Sequence, residues 1–426
     1  MSFQQGLSGL NAASKNLDVI GHNIANSNTV GFKASRAEFA EMVASAIGSA
    51  GGSNAGIGVE VAAVAQQFTQ GNLTITGNSL DVAINGNGFF TLTLPDGTPA
   101  YTRSGNFKLD KEGNMITNDN ANVMGYPVDP VTGLRSGTDP IPMVFPTSEP
   151  IPAKQTTTIT AAFNLPATAT DAAGDPAATP PIPATPRATY GTSINVFDSQ
   201  GVAKPVSLYF QKTATDNTWD VYDQLDDPTA VPPVVAAPIG QITFDNNGAI
   251  TGPVATPPAT GFSLPLTVNP TPPNPNNLPT YPVDVSLDKV TQFGTKFAVS
   301  NLSQDGYTSG ELTGINIENN GMIMTRYSNG VTRAEGQLAL SSFRNTQGLA
   351  SVGSNNWVAT FESGQPVAGT ATDGNFGSLR SGALEDSNVD LTAELVNMMT
   401  AQRAYQANAQ TIKTQDQVMS TLVNLR

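Results

Sequence analysis

SNVDLTAELVNMMTAQRAYQANAQTIKTQDQVMSTLVNL, residues 387–425, is the stretch on which the fold turns. In alternating steps of four and three it places Leu391, Leu395, Met398, Gln402, Tyr405, Ala409, Ile412, Asp416, Met419 and Val423 on one helical face, apolar at eight of ten. Ser387 and Asp390 are the N-cap choices, Glu394 suits the first turn, and no proline interrupts. The other chain end repeats the pattern more weakly, through Phe3, Leu7, Leu10, Ser14, Leu17, Gly21 and Ile24. At 1.5 Å per residue the two helices would measure about 35 and 50 Å. Two stripes at opposite ends can bury themselves only on each other or on neighbouring subunits, so a coiled-coil-like helical hairpin used in assembly is expected.

Between these ends the sequence changes character. Of the 31 prolines, 28 fall between Pro127 and Pro282, and proline donates nothing to a ladder, so strands there must be short or at sheet edges. Candidate strands are 156–164, 192–197, 206–211, 218–222 and 241–244, parted by turns such as FDSQG and FDNNG. The flanks, 71–146 and 283–384, hold short apolar runs punctuated by Asn-Gly and Asp-Gly pairs at Asn85, Asn87, Asp96, Asp305, Asn320 and Asn329. Their shared texture predicts one inner β domain interrupted by an outer one. The expected fold is α+β and multidomain: helices at 1–26 and 385–426, a Gly/Ser-containing linker at 27–70, an inner, mainly antiparallel β domain from 71–146 and 283–384, and an outer Pro-rich β domain at 147–282 inserted into it.

Composition excludes several function classes. The 426 residues include no Cys and one His, His22, which rules out disulfides, zinc ribbons, thiol nucleophiles and two-histidine metal centres. A formal charge of −14 opposes binding to a phosphate backbone. No P-loop, GxSxG or SxxK occurs, and GIGVEV at 56–61 lacks the last glycine of a dinucleotide fingerprint. DKEGN at 110–114 lacks the order of a calcium loop and reads as a hairpin turn. The acid pairs Glu385-Asp386 and Asp226-Asp227 are expected on solvated surface rather than in a hydrolase site. No apolar run is long enough to span a bilayer, and the first residues lack a basic leader followed by an apolar stretch. The expectation is a non-enzyme without cofactor, metal, nucleic-acid partner or membrane insertion.

Four ordered motifs resemble the rod and hook axial family of the bacterial flagellum. LSGLNAASKNLDVIGHNIANSNTVGFKASRAEF at 7–39 carries the family's NIAN (Asn23, Ile24, Ala25, Asn26) followed by Thr29, Gly31, Phe32 and Lys33. QGNLTITGNSLDVAINGNGFF at 70–90 and YTRSGNF at 101–107 resemble its β-domain signatures, and Gln402, Arg403, Ala404 and Tyr405 lie in its C-terminal QRAYQAN motif. The large central insertion and GINIENNGMIMTRYSNG at 314–330 resemble the hook branch rather than the rod branch. The resemblance implies a helical homopolymer, a curved tube acting as a universal joint, in contact with distal rod, hook cap and hook–filament junction proteins. It also implies an extracellular place in the flagellum, reached through the flagellar type III export apparatus without a cleaved signal peptide. Helix packing between subunits would then fall on Phe3, Leu7, Leu10, Leu17, Ile24, Leu391, Leu395, Met398, Tyr405, Ile412, Met419 and Val423. A distal rod subunit and a secreted β-rich adhesin are the alternatives.

Overall fold

The structure is a computed structural model and describes residues 2–43, 56–130, 132–146, 149–227, 235–255, 260–269 and 278–424. The chain divides into two compact units, one made of Met1–Ser148, Leu312–Tyr327 and Thr332–Arg426, the other of Glu149–Glu311 with Ser328–Val331.

In the first unit the helices are α1, Ser2–Ala25, and α2, Leu391–Asn424. Asp390, not Ser387, caps α2: its Oδ1 accepts from the backbone N–H of Thr392 at 2.9 Å and of Ala393 at 3.1 Å, the orphan donors of a first turn. Ser387 is buried and accepts from Val389 N in the turn before. Residues 27–70, expected as a linker, carry two paired strands, β1 (Ser35–Val43) and β2 (Gly56–Gln66), antiparallel from Ser35 opposite Gln66. Gln5 of α1 donates to Gly56 O at 2.6 Å and Ser8 Oγ accepts from Val59 N at 3.3 Å, so the helix supports this ribbon along its length.

The rest of the unit is a β domain assembled from both flanks. Asn122–Pro127 pairs with Thr332–Leu338, Val82–Asn85 with Ser378–Ser381, and Leu73–Ile75 with Ala383–Glu385. Chain leaving the helices therefore lies beside chain returning to them. One core joins Ile84, Phe90, Leu92 and Phe107 to Ile317, Ile323, Leu338 and Leu379, and alternate residues supply it because side chains of a strand point to opposite faces. An aromatic cluster of Phe89, Tyr101, Phe343 and Trp357 takes Phe68 at its edge, with ring pairs at 4.7–5.9 Å in edge-to-face arrangement.

The second unit holds two five-stranded sheets around a separate core. One is the meander Gly191–Phe197, Ala203–Lys212, Thr218–Tyr222, Gly240–Phe244 and Ile250–Gly252. The other is organised on Thr158–Pro166, which runs parallel to Tyr281–Ser286 and Thr291–Phe293 and antiparallel to Ala298–Gln304. Ile159, Phe163 and Leu165 meet Phe210, Trp219 and Val283 in the core. All five strands expected here form, with ends shifted by up to three residues. The boundary expected at 282 lies instead at 311, because the strands at 281–286, 291–293 and 298–304 complete this sheet. Both turn sequences act as read: the Asp198 and Asp245 carboxylates accept two backbone N–H bonds each, from Gln200 and Val202 and from Asn247 and Ala249.

Candidate functional site

No enzyme-like constellation comes together among the described residues. His22 lies exposed on α1 with its ring 5.4 Å from that of Phe32. Asp110 accepts from Asn114 N and Nδ2, both at 2.7 Å, and closes a hairpin between Lys108–Leu109 and Met115–Ile116. What the fold does build is a helical hairpin and a charged knot that holds it to the β domain.

α1 and α2 run antiparallel. A Cβ on Gly6 would sit 3.2 Å from Ile412 Cγ1, and one on Gly9 would sit 2.9 Å from Asn408 Nδ2, so the absence of side chains lets the helix axes approach closely. The α2 seam is the 4-3 series Glu394, Met398, Ala401, Tyr405, Asn408, Ile412 and Gln415, buried or half-buried except Tyr405 at 37% exposure. Of the expected stripe, Met398, Ala409 and Ile412 are half-buried on this side, with Tyr405 exposed between them. Leu10, Leu17 and Ile24 are half-buried, whereas Phe3, Leu7, Leu391, Leu395 and Met419 are exposed, together with Val396, Met399 and Val418. Val423's side chain lies outside the described residues. Small residues (Gly6, Ala12, Ala13, Ala401) and Ile20 are among the buried ones on the two helices, while several of the large apolar residues stay exposed.

The NIAN-x-x-T-x-G-F-K residues form the elbow after α1. Asn23 is 1% exposed and clasps Ser35, its Nδ2 donating to Ser35 O at 2.8 Å and its Oδ1 accepting from Ser35 N at 2.9 Å. Asn26 Nδ2 donates to His22 O, and Thr29 Oγ1 to Asn26 Oδ1. Gly31, at φ +70°, donates its N–H to Glu385 O at 2.8 Å, and a Cβ there would meet Ser104 N at 2.6 Å; only glycine fits. Ile24 is half-buried and Ala25 exposed, while Phe32 is buried. On α2, Gln402, Arg403 and Ala404 are exposed.

Lys33 ends this run inside the protein. Its Nζ lies 2.5 Å from Glu385 Oε1 and 2.7 Å from Thr69 O. Arg103 reaches the other carboxylate oxygen, Nη1 to Oε2 at 3.2 Å, and donates through Nη2 to Gly86 O at 2.9 Å; Gly71 N adds a bond to Oε1 at 3.0 Å. The Lys33 and Glu385 side chains are fully buried and that of Arg103 is 6% exposed. Burial pushes the Lys33 ammonium below its ordinary range against the pull of Glu385, and lowers Arg103 for the same reason. Asn388 closes the knot, accepting from Ala34 N and donating to Gln67 O, both at 2.7 Å.

Glu385, Arg103 and Asn388 were missed as functional residues, and the expectation that Glu385-Asp386 is solvated fails at Glu385. The signal lay in strand parity: Ala383 and Glu385 share the inward face of Ala383–Glu385 while Leu384 is only half-buried. Asp386 takes Thr74 Oγ1 at 2.5 Å. Asp226 accepts from Arg187 Nη1 at 3.1 Å and Ala236 N at 2.7 Å.

A β domain threaded between two paired terminal helices that carry exposed apolar side chains is the build of an axial structural subunit. The chain belongs to the flagellar hook protein FlgE family of hook structural subunits. It is 43% identical to flagellar hook protein FlgE of Escherichia coli (strain K12) and to that of Salmonella typhimurium (strain LT2), and 32% identical to that of Treponema pallidum (strain Nichols). Each match spans 100% of this chain, and 100%, 100% and 99% of the respective relative. Family models match in order: the flagella basal body rod protein at 3–33, the flagellar hook protein FlgE/F/G D1 domain at 83–172, the flagellar basal body protein FlaE D2 domain at 164–307, and the flagellar basal body rod FlgEFG protein C-terminal at 380–425. The crystal structure of Helicobacter pylori flagellar hook protein FlgE2 shares the fold, with a TM-score of 0.53 at 15% identity over 73% of this chain and all of that one.

Proposed function

We propose that copies of the chain polymerise helically through their terminal helices into a curved tube that passes torque from rod to filament as a universal joint. The observation that carries this reading is the number of exposed apolar side chains on the hairpin: Phe3 and Leu7 on α1, and Leu391, Leu395, Val396, Met399, Val418 and Met419 on α2. Each large apolar side chain removed from water contributes roughly 1.5–3 kcal/mol, so their burial against other copies would favour assembly. The knot at Lys33 would carry load from those helices into the β domain, since breaking it exposes unpaired charges in a dry site.

The inner helices would give axial continuity, with β domains further out making looser contacts that slide as the tube bends. Contacts at its ends would be with distal rod, hook cap and hook–filament junction proteins. The subunits would reach their extracellular place through the flagellar type III export apparatus without a cleaved signal peptide. No helix among the described residues is long and apolar enough to cross a membrane. Electron micrographs of the polymer test the reading: curved tubes support it, and straight shafts would favour a distal rod role.

A further inference from the structure

On the β domain of the first unit a concavity of about 580 Å³ lies between the strand Leu312–Ile317, its following turn, and the strand Ser378–Ser381. Leu312–Ile317 ends the large sheet, and Ser378–Ser381 has only Val82–Asn85 as a strand partner. The cleft is therefore bounded by two outer strands. Arg380 lines it, exposed, in no ion pair among the described residues. Asn316, Asn319, Asn320 and Ser381 add amides and a hydroxyl, and Glu318 is the single carboxylate.

Its rim is strained. Thr372 also lines the cleft and holds φ +67°, a left-handed conformation costly for a β-branched residue. The chain as a whole is acidic, with a formal charge of −14 from 34 carboxylates against 20 Lys and Arg. A guanidinium takes carboxylates in a bidentate fork, and the surrounding amides suit a peptide backbone.

We infer that this cleft binds a carboxylate-bearing extended segment of a second copy of the chain, with Arg380 as the anchor. Charge complementarity selects that occupant, because a polymer of so acidic a chain must offset self-repulsion where copies touch. The inference rests on the polymer reading above.

The test compares polymer yield by sedimentation for wild type, Arg380→Glu, and Lys111→Glu, which makes the same charge change on an exposed turn. Arg380→Glu should lower the yield roughly tenfold more than Lys111→Glu at low salt, with the difference shrinking as salt rises. The monomer melt should stay unchanged, since Arg380 is exposed. A photo-crosslinking residue at Asn319 in otherwise wild-type polymer should give covalent dimers joined through an Asp- or Glu-containing peptide. Equal yields for the two variants, or polymer that gives no dimer, overturns the site while leaving the polymer reading intact. Failure of wild type to polymerise under any condition overturns both.

Discussion

Lys33 Nζ and Glu385 Oε1 lie 2.5 Å apart although 352 positions of chain separate them, and neither side chain meets water. With Arg103 the knot counts two cations and one carboxylate, a net charge of +1 in a buried site. Glu385→Gln leaves both cations unpaired and should cost about 3–5 kcal/mol. Lys33→Met keeps the Arg103–Glu385 pair and brings the buried charge to zero, so it should cost much less. Thermal melts of the two monomers decide this; equal loss would mean that packing, not charge, holds the elbow.

Acid should act on the second unit through Asp305. Desolvation raises this carboxyl, but bonds from Thr158 N, Thr157 N, Thr157 Oγ1 and Lys154 outweigh it and bring it from 3.8 to about 2. Because the folded form binds its proton less readily than the unfolded chain, the contribution is complete above pH 3.8 and disappears as pH falls through about 2. Asp305→Asn should therefore destabilise at pH 7, with the difference from wild type narrowing across that window in urea titrations. A difference that is constant with pH would point to lost packing instead.

The outer module should be removable. Ile151 bridges Gly310 and Lys154 bridges Tyr307, so chain going out and chain coming back run side by side. A deletion of 149–311 should leave a folded first unit that still sediments as polymer. Deletion of 147–282 instead strands Val283, Val285, Leu287 and Val290, core residues of the removed module, in water and should aggregate. If neither assembles although the first unit's melt is retained, the module carries axial contacts.

The helices were legible because their 4-3 periodicity is a local signal, and the outer strands because period-2 alternation and Asp-rich turns are local too. The ribbon β1–β2 was not, since AEFAEMV and GVEVAAVAQ are rich in small residues and owe their form to α1 beneath them. The knot was only half visible. Gly31, Phe32 and Lys33 stood out as a motif, but Glu385 and Asn388 lie in and just after a strand whose pairing with Leu73–Ile75 is not local, and Arg103 stood only inside the YTRSGNF motif with nothing to mark its partner. The residues of the stripe divide in the single chain: Met398, Ala409 and Ile412 are half-buried, whereas Leu391, Leu395 and Met419 are exposed, a division that the 4-3 spacing alone does not reveal because Gly6 and Gly9 let α1 approach one side of α2.

That division gives the central claim its most direct test. Leu395 is 47% exposed in the single chain, whereas Ile412 packs on α1 at Gly6. Leu395→Lys should leave the monomer melt unchanged and nearly abolish sedimenting polymer, since a charge carried into a contact between copies loses its water without gaining a partner. Ile412→Asp should damage both, and Lys413→Gln, on the exposed side, neither. Polymer yield for Leu395→Lys beside its melt is the measurement: an intact monomer without polymer is the result predicted, and normal polymer would show that the outward stripe is not the contact between subunits.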